Sequence, residues 1–230
     1  MRQRKCLLRA VVVLCVVGAL AARAGATTVE CEGRKFNYLF YAPEKAGPLP
    51  AILLLHGAGD SPGPMLRAWV GLAKKEGIAL IAPELPRKAE FEEIAPRVFR
   101  CVAEDAKRLG SLDTARLYVF GNSMGGYLAY DAAMFDSEYF AAVAVHAMGI
   151  APEYDGILQK ASRKTPLAIY IGDRDPLVSL ASVRRTRDLL EQNGFSVHYV
   201  ELKGHDHNYY YVAEKVNADV WAFFREKRLR

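Results

Sequence analysis

Val119-Phe120-Gly121-Asn122-Ser123-Met124-Gly125-Gly126 is where the chain changes from strand to helix in the shortest possible space. An apolar run, Leu117 to Phe120, stops at Gly121, a serine follows two residues later, and two glycines lead into an alanine-rich helical segment. Gly121-x-Ser123-x-Gly125 is the spacing of a sharp strand-to-helix turn. Such a turn holds the serine in strained backbone geometry, and side chains at the flanking positions would strike the neighbouring strand and helix. The serine hydroxyl is left at a helix N-terminus, where backbone N–H groups and the helix dipole favour developing negative charge. Gly and Ser are common residues, so the pattern takes its weight from the strand before it and the helix after it.

Short apolar runs and amphipathic segments alternate on either side of this turn. Phe36 to Tyr41 reads as an aromatic strand ended by Ala42-Pro43. Ala51 to Leu55 is a continuous apolar run closed by His56-Gly57, as expected of a strand buried on both faces. Pro64 to Glu76 carries Met65, Ala68, Trp69, Leu72 and Ala73 at helical spacing and stops at Gly77. Ile78 to Ala82 is another buried strand, and Phe91 to Leu109 has a helical period. After the serine come a helix from Gly125 to Phe135 and an apolar run from Phe140 to Val145. Strand, helix and strand follow at Leu167 to Ile171, Ser182 to Gln192 and Val197 to Leu202, with a last helix at Val212 to Phe224. Trp69 and Trp221 fall on apolar helical faces and read as core. This alternation predicts an α/β fold with a mostly parallel sheet and helices on both faces. No repeat, low-complexity linker or change of composition divides it.

The first residues read as a targeting segment. Arg2, Arg4 and Lys5 precede a mostly apolar run from Leu7 to Ala22, and Ala24-Gly25-Ala26 offers a small-x-small cleavage site. Arg9 interrupts the apolar run, leaving Ala10 to Ala22 short for a bilayer span. The expectation is a signal peptide at 1–26, cleavage near Ala26 and a single domain at 27–230; an uncleaved N-terminal anchor is the competing reading. The expected destination is periplasmic or extracellular, with no stable membrane insertion after cleavage. Removing 26 residues leaves 204 of the 230 and takes away five basic residues and no acidic one. The remaining 26 Lys and Arg then face 26 Asp and Glu, so the formal charge of +5 belongs to the leader. No basic patch with interleaved aromatics is visible, and no nucleic-acid partner is expected. Cys31 and Cys101 remain beyond the leader, either paired between an N-terminal strand and a helix or standing as separate thiols. There is no CxxC motif and no Cys/His cluster at zinc spacing, so neither metal nor cofactor is expected.

In an open parallel sheet, functional groups collect at the carboxyl ends of strands. Here those ends carry His56-Gly57-Ala58-Gly59, then Ser123, then Gly172-Asp173-Arg174-Asp175, then Gly204-His205-Asp206-His207. A serine, a carboxylate and a histidine thus stand in the chain order Ser…Asp…His. A serine hydroxyl is a poor nucleophile until an imidazole takes its proton, and a carboxylate fixes the tautomer of that imidazole. The oxyanion formed on attack needs backbone donors, for which Met124 N–H and Ala58 N–H are placed. By position alone, Asp173 rivals Asp175 and His205 rivals His207. Of the other histidines, His56 is expected to brace the loop at Gly57, and His146 either lines the pocket or is a core residue. His198 reads as structural. Tyr209, Tyr210 and Tyr211 either offer an aromatic face to substrate or pack in the first turn of the last helix.

From about Phe36 onward the chain resembles the α/β-hydrolase superfamily. It is most similar to small secreted esterases grouped with polyhydroxybutyrate depolymerases, feruloyl esterases and dienelactone hydrolase-like proteins. Leu-Leu-Leu-His56-Gly57-Ala58-Gly59 resembles their oxyanion loop, and Gly121-Asn-Ser123-Met-Gly125-Gly126 their nucleophile elbow. Gly172-Asp-Arg-Asp175-Pro-Leu-Val178 resembles their acid segment, and Gly204-His-Asp206-His207-Asn-Tyr-Tyr the base segment of S-formylglutathione hydrolases. The resemblance implies an α/β-hydrolase fold and a serine esterase working through an acyl-enzyme, with Ser123 as nucleophile, Asp175 as acid and His207 as base. Asp173 then becomes a loop cap and His205 a loop residue at the rim. About twenty residues separate Val145 from Leu167, and Glu153 to Lys160 reads as one ordinary helix. Little or no cap domain is therefore expected, and an open site for a small-molecule or polymeric ester. An acyltransferase or peptidase on the same triad, or a catalytically silent binding protein, are the alternatives. Acyl and alcohol specificity and oligomeric state are not legible.

Overall fold

Successive residues along a strand point to opposite faces of a sheet, and the central strands show what this alternation builds. The computed structural model describes residues 23–86 and 97–230. In β3 (Leu49–Leu55), Ala51, Leu53 and Leu55 pack into one core while Ile52 and Leu54 pack into another. In β5 (Leu112–Asn122), Leu117 and Val119 join the first core and Tyr118 and Phe120 the second. Both faces of β3 and of β5 from Leu117 onward are buried, which is why those stretches read as unbroken apolar runs.

The other strands are β1 (Arg23–Cys31), β2 (Arg34–Ala42), β4 (Ala79–Pro83), β6 (Ala142–His146), β7 (Leu167–Gly172) and β8 (Val197–Leu202). Among the described residues they form one eight-stranded sheet in the order β1-β2-β4-β3-β5-β6-β7-β8. The β1–β2 and β2–β4 pairs are antiparallel; all the others are parallel. The helices are α1 (Pro62–Glu76), α2 (Val98–Ala106), α3 (Met124–Phe135), α4 (Leu180–Gln192) and α5 (Ala213–Phe224). Helices α1 and α5 cover one face through Met65, Trp69, Val220 and Phe224. Helices α2, α3 and α4 cover the other through Phe99, Leu128, Val183 and Leu190. Trp69 meets Phe120 edge-on at 5.2 Å, tying α1 to the strand that ends in the serine turn. No helix among the described residues is long and apolar enough to cross a membrane.

Three expectations need adjustment or placement. Residues 152–160 form a 3-10 segment, Pro152–Lys160, and not an ordinary helix; Pro152 starts it and only Leu158 is buried, too narrow an apolar stripe to hold a full α-turn against α3. It is the only regular element between β6 and β7, so no cap domain stands there. The expected leader lies at 1–22 outside the described residues, as does the start of the helical pattern at 91–96. The last four leader residues, Arg23 to Ala26, pair with Ala42 to Leu39 in the β1–β2 ladder, which therefore runs through the expected cleavage point.

Cys31 and Cys101 are bonded, joining the end of β1 to α2 across a sequence separation of 70. Closing a loop of that length restricts the unfolded chain and is worth about 2–4 kcal/mol. Replacing both cysteines by serine is expected to lower the free energy of unfolding in urea by about that amount, and the midpoint with it. Reductant should lower the midpoint of the native protein and leave the double variant unmoved.

Candidate active site

Three glycines make the turn at Ser123 possible. A Cβ on Gly121 would stand 2.2 Å from the carbonyl oxygen of Gly125, and one on Gly125 would stand 2.2 Å from that of Leu55. On Gly126 it would meet Val145 Cγ1 at 2.8 Å and Met148 Cβ at 2.9 Å. Strand β5, helix α3 and the end of β3 thus approach to backbone contact, and Ser123 between them is held at φ 52°, ψ −119°. That conformation is rare for a residue with a side chain and persists only where the surroundings enforce it. Here Ser123 N–H donates to the carbonyl of His146 on β6 (2.8 Å).

The loops after β7 and β8 interlock at Gly172, where a Cβ would lie 2.3 Å from the carbonyl oxygen of His205. Arg174 N–H donates to that same oxygen (3.0 Å), and Gly204 N–H donates to Asp173 Oδ1 (2.6 Å). Asp173 is thus a loop cap at the surface. Asp175 turns inward: Leu177 and Val178 N–H both donate to its Oδ1 at 2.9 Å, and its side chain is closed to solvent. Its Oδ2 lies 2.7 Å from His207 Nδ1, and His207 Nε2 lies 2.9 Å from Ser123 Oγ. An ionised carboxylate only accepts, so Nδ1 carries the proton and Nε2 is left bare toward the serine hydroxyl. This chain of contacts has the polarity required to move a proton from Ser123 to His207.

The loop after β3 passes beside the serine. The open side of Gly57 faces Asn122 Nδ2 at 3.3 Å and Ser123 Cβ at 3.5 Å, measured from an added Cβ. Ala58, the next residue, is exposed. Met124 is the first residue of α3, whose N–H has no intrahelical acceptor. Leu85 N–H donates to His56 Nε2 (3.0 Å), so its Nδ1 carries the proton and donates to the Gly57 carbonyl (2.9 Å).

The remaining candidates differ more. His205 is buried beneath the site and does not stand at its rim, because the interlock at Gly172 turns its ring inward. Tyr209, in the 3-10 turn Tyr209–Tyr211, is also buried; its hydroxyl donates to Asn217 on α5 and its ring lies 5.2 Å from that of Phe120. It supports the floor and offers no face to a ligand. His146 is fully buried, with its ring 5.7 Å from His205 and 5.5 Å from Tyr209. Burial, then the nearby His205 and His207 rings, push its pKa down to about 3, so it is neutral. His198 is remote, bonded with Tyr170 to Asp219 on α5.

Two contacts were not foreseen. Asn122 Oδ1 lies 2.8 Å from His146 Nδ1, and Tyr210 hydroxyl donates to Asp60, tying the loop after β3 to the loop after β8. Neither has a sequence motif; the first follows from the register Asn122↔His146, which exists only once β5 and β6 are paired. Among the described residues, no group of three or more His, Cys, Asp or Glu could hold a metal ion.

The model of a family described as alpha/beta hydrolase family matches residues 52–192, a stretch that holds Ser123 and Asp175 and ends before His207. Among solved structures, the chain is similar to a thermostable esterase, with 19% identity and a TM-score of 0.71 over 90% of this chain; it spans 63% of that chain. An S-formylglutathione hydrolase (FrmB) from Staphylococcus aureus has 17% identity and a TM-score of 0.74 over 88% of this chain and 96% of its own. One from Agrobacterium tumefaciens has 18% identity and a TM-score of 0.71 over 92% and 97%. At such identities the likeness is one of fold. No curated protein sequence matches the chain.

Proposed function

The chain belongs to the alpha/beta hydrolase family, and from that premise we propose that it is a serine esterase, cleaving carboxylic esters through an acyl-enzyme. The observation that carries this reading is the unbroken contact chain from Ser123 Oγ through His207 to Asp175, at 2.9 and 2.7 Å. Ser123 Oγ attacks the ester carbonyl as His207 Nε2 takes its proton, and Asp175 stabilises the imidazolium and holds its tautomer. Charge on the carbonyl oxygen is met by Met124 N–H and Ala58 N–H. The tetrahedral adduct collapses, His207 protonates the departing alcohol, and the acyl group stays on Ser123. Water, deprotonated by the same imidazole, then releases the acid and regenerates the serine.

The connection between β6 and β7 carries only the segment Pro152–Lys160, which supports an open site for small or extended esters. Export is part of the same reading: the Cys31–Cys101 bond suits an oxidising compartment.

The test is a panel of short aliphatic, hydroxyalkanoate-type and aromatic esters beside matching amides and alternative acyl acceptors. The expected result is kcat/KM for esters well above that for the amides, with free acid as the product. Faster amide cleavage would make the protein a peptidase, and acyl transfer to an acceptor in preference to water an acyltransferase. Failure of a fluorophosphonate to label Ser123 would leave a silent binding protein.

A further inference from the structure

Ala58 is exposed and its loop has no regular structure of its own, yet an oxyanion donor must be held still. Gly57 is gripped from two sides. On one, His56 Nδ1–H donates to its carbonyl (2.9 Å). On the other, the side-chain amide of Asn122 lies against its open face, with Nδ2 3.3 Å from where a Cβ would be. Asn122 is itself held by His146, its register partner on β6, whose Nδ1–H donates to Oδ1 (2.8 Å). The backbone carbonyl of the same His146 accepts from Ser123 N–H (2.8 Å). One residue of β6 thus touches both the strained serine and the side chain that backs the oxyanion loop.

We propose that His146 and Asn122 form a positioning pair that sets the oxyanion loop at Gly57 against Ser123; this rests on the serine-esterase reading. Neither residue touches substrate. Their polarity needs a reason, because Asn122 and His146 are both buried, at 8% and 0% exposure, and His146 Nε2 has no partner among the described residues. Burying a polar atom without a partner costs free energy that an apolar pair at these two positions would avoid. What the polar pair supplies is direction. The bond at Oδ1 fixes the amide plane, and the amide plane fixes which face Gly57 meets. A neutral imidazole does this without adding positive charge beneath His207, which must itself become an imidazolium in each half-reaction.

The test compares His146→Phe, Asn122→Ala, their combination and His146→Gln, which keeps an N–H donor. The readouts are kcat and KM on a soluble ester, the rate of fluorophosphonate labelling and the thermal midpoint. His146→Phe and Asn122→Ala are each expected to lower kcat and the labelling rate by about 10- to 100-fold while KM moves less than about 3-fold, since a small misplacement of a donor acts on the transition state. His146→Gln is expected to recover most of kcat, and the combined variant to lose no more than the worse single one, because both act through one contact. If His146→Phe does not fold, Asn122→Ala is judged by the same numbers. A folded His146→Phe or Asn122→Ala with kcat within about 2-fold of the unsubstituted protein, or losses that multiply in the combination, overturns the pair. An unsubstituted protein that neither hydrolyses esters nor takes the probe overturns the esterase reading, and this inference with it.

Discussion

Ser123→Ala is expected to lower kcat for ester hydrolysis by about 10⁴-fold or more and to abolish fluorophosphonate labelling, with the thermal midpoint unchanged. The size follows from what is removed. Without Oγ there is no atom for the acyl group to reside on, and His207 has no proton to take; what remains is binding and the oxyanion donors, which by themselves sustain only slow attack by water. The fold should not notice, because alanine at φ 52° carries the same backbone strain as serine. Neither the N–H bond to His146 nor the glycine contacts around the turn involve Oγ. Hydrolysis that survives this substitution on a folded protein would place the nucleophile elsewhere and end the mechanism as stated.

Gly125→Ala should do the opposite, weakening the fold itself. Its Cβ would stand 2.2 Å from the oxygen and 2.5 Å from the carbon of the Leu55 carbonyl, and 2.7 Å from the His56 oxygen. These are buried backbone atoms at the end of β3, a central strand that pairs with β4 on one side and β5 on the other. Unlike a flexible side chain, they cannot move aside without parting β3 from α3. Overpacking costs about 1–3 kcal/mol and more where backbone must move, a large part of the roughly 5–15 kcal/mol that holds a domain together. Gly71 gives the contrast: it lies in α1 with open space where its Cβ would be, and Gly71→Ala should raise stability by about 0.5–1 kcal/mol. Chemical denaturation of both variants decides the matter; a Gly125→Ala protein as stable as the parent would mean that helix and strand do not meet there.

Local patterning was enough for the class of fold and for the turn at Ser123. Unbroken apolar runs at Ala51 to Leu55 and Leu117 to Phe120 report burial on both faces because side-chain direction along a strand repeats every two residues. The glycine at 121 is legible because the steric rule it obeys concerns β5 and α3, which are adjacent in the chain; Gly125 is legible only through its place in the pattern, since what it meets is the distant end of β3. The order Ser…Asp…His was legible as well, since strand ends can be located where the same runs stop.

Position along the chain left the choice between residues two apart open; the resemblance favoured one of each pair, and packing in three dimensions supplies the physical reason. Asp173 and Asp175 follow the same strand, as His205 and His207 follow another. Which member lies within 2.9 Å of the next group depends on how the loops after β7 and β8 lock at Gly172. The Cys31–Cys101 bond and the contact of Asn122 with His146 are of the same kind. Each joins atoms far apart in sequence, and nothing in the local pattern at either end records the distance that folding will leave between them.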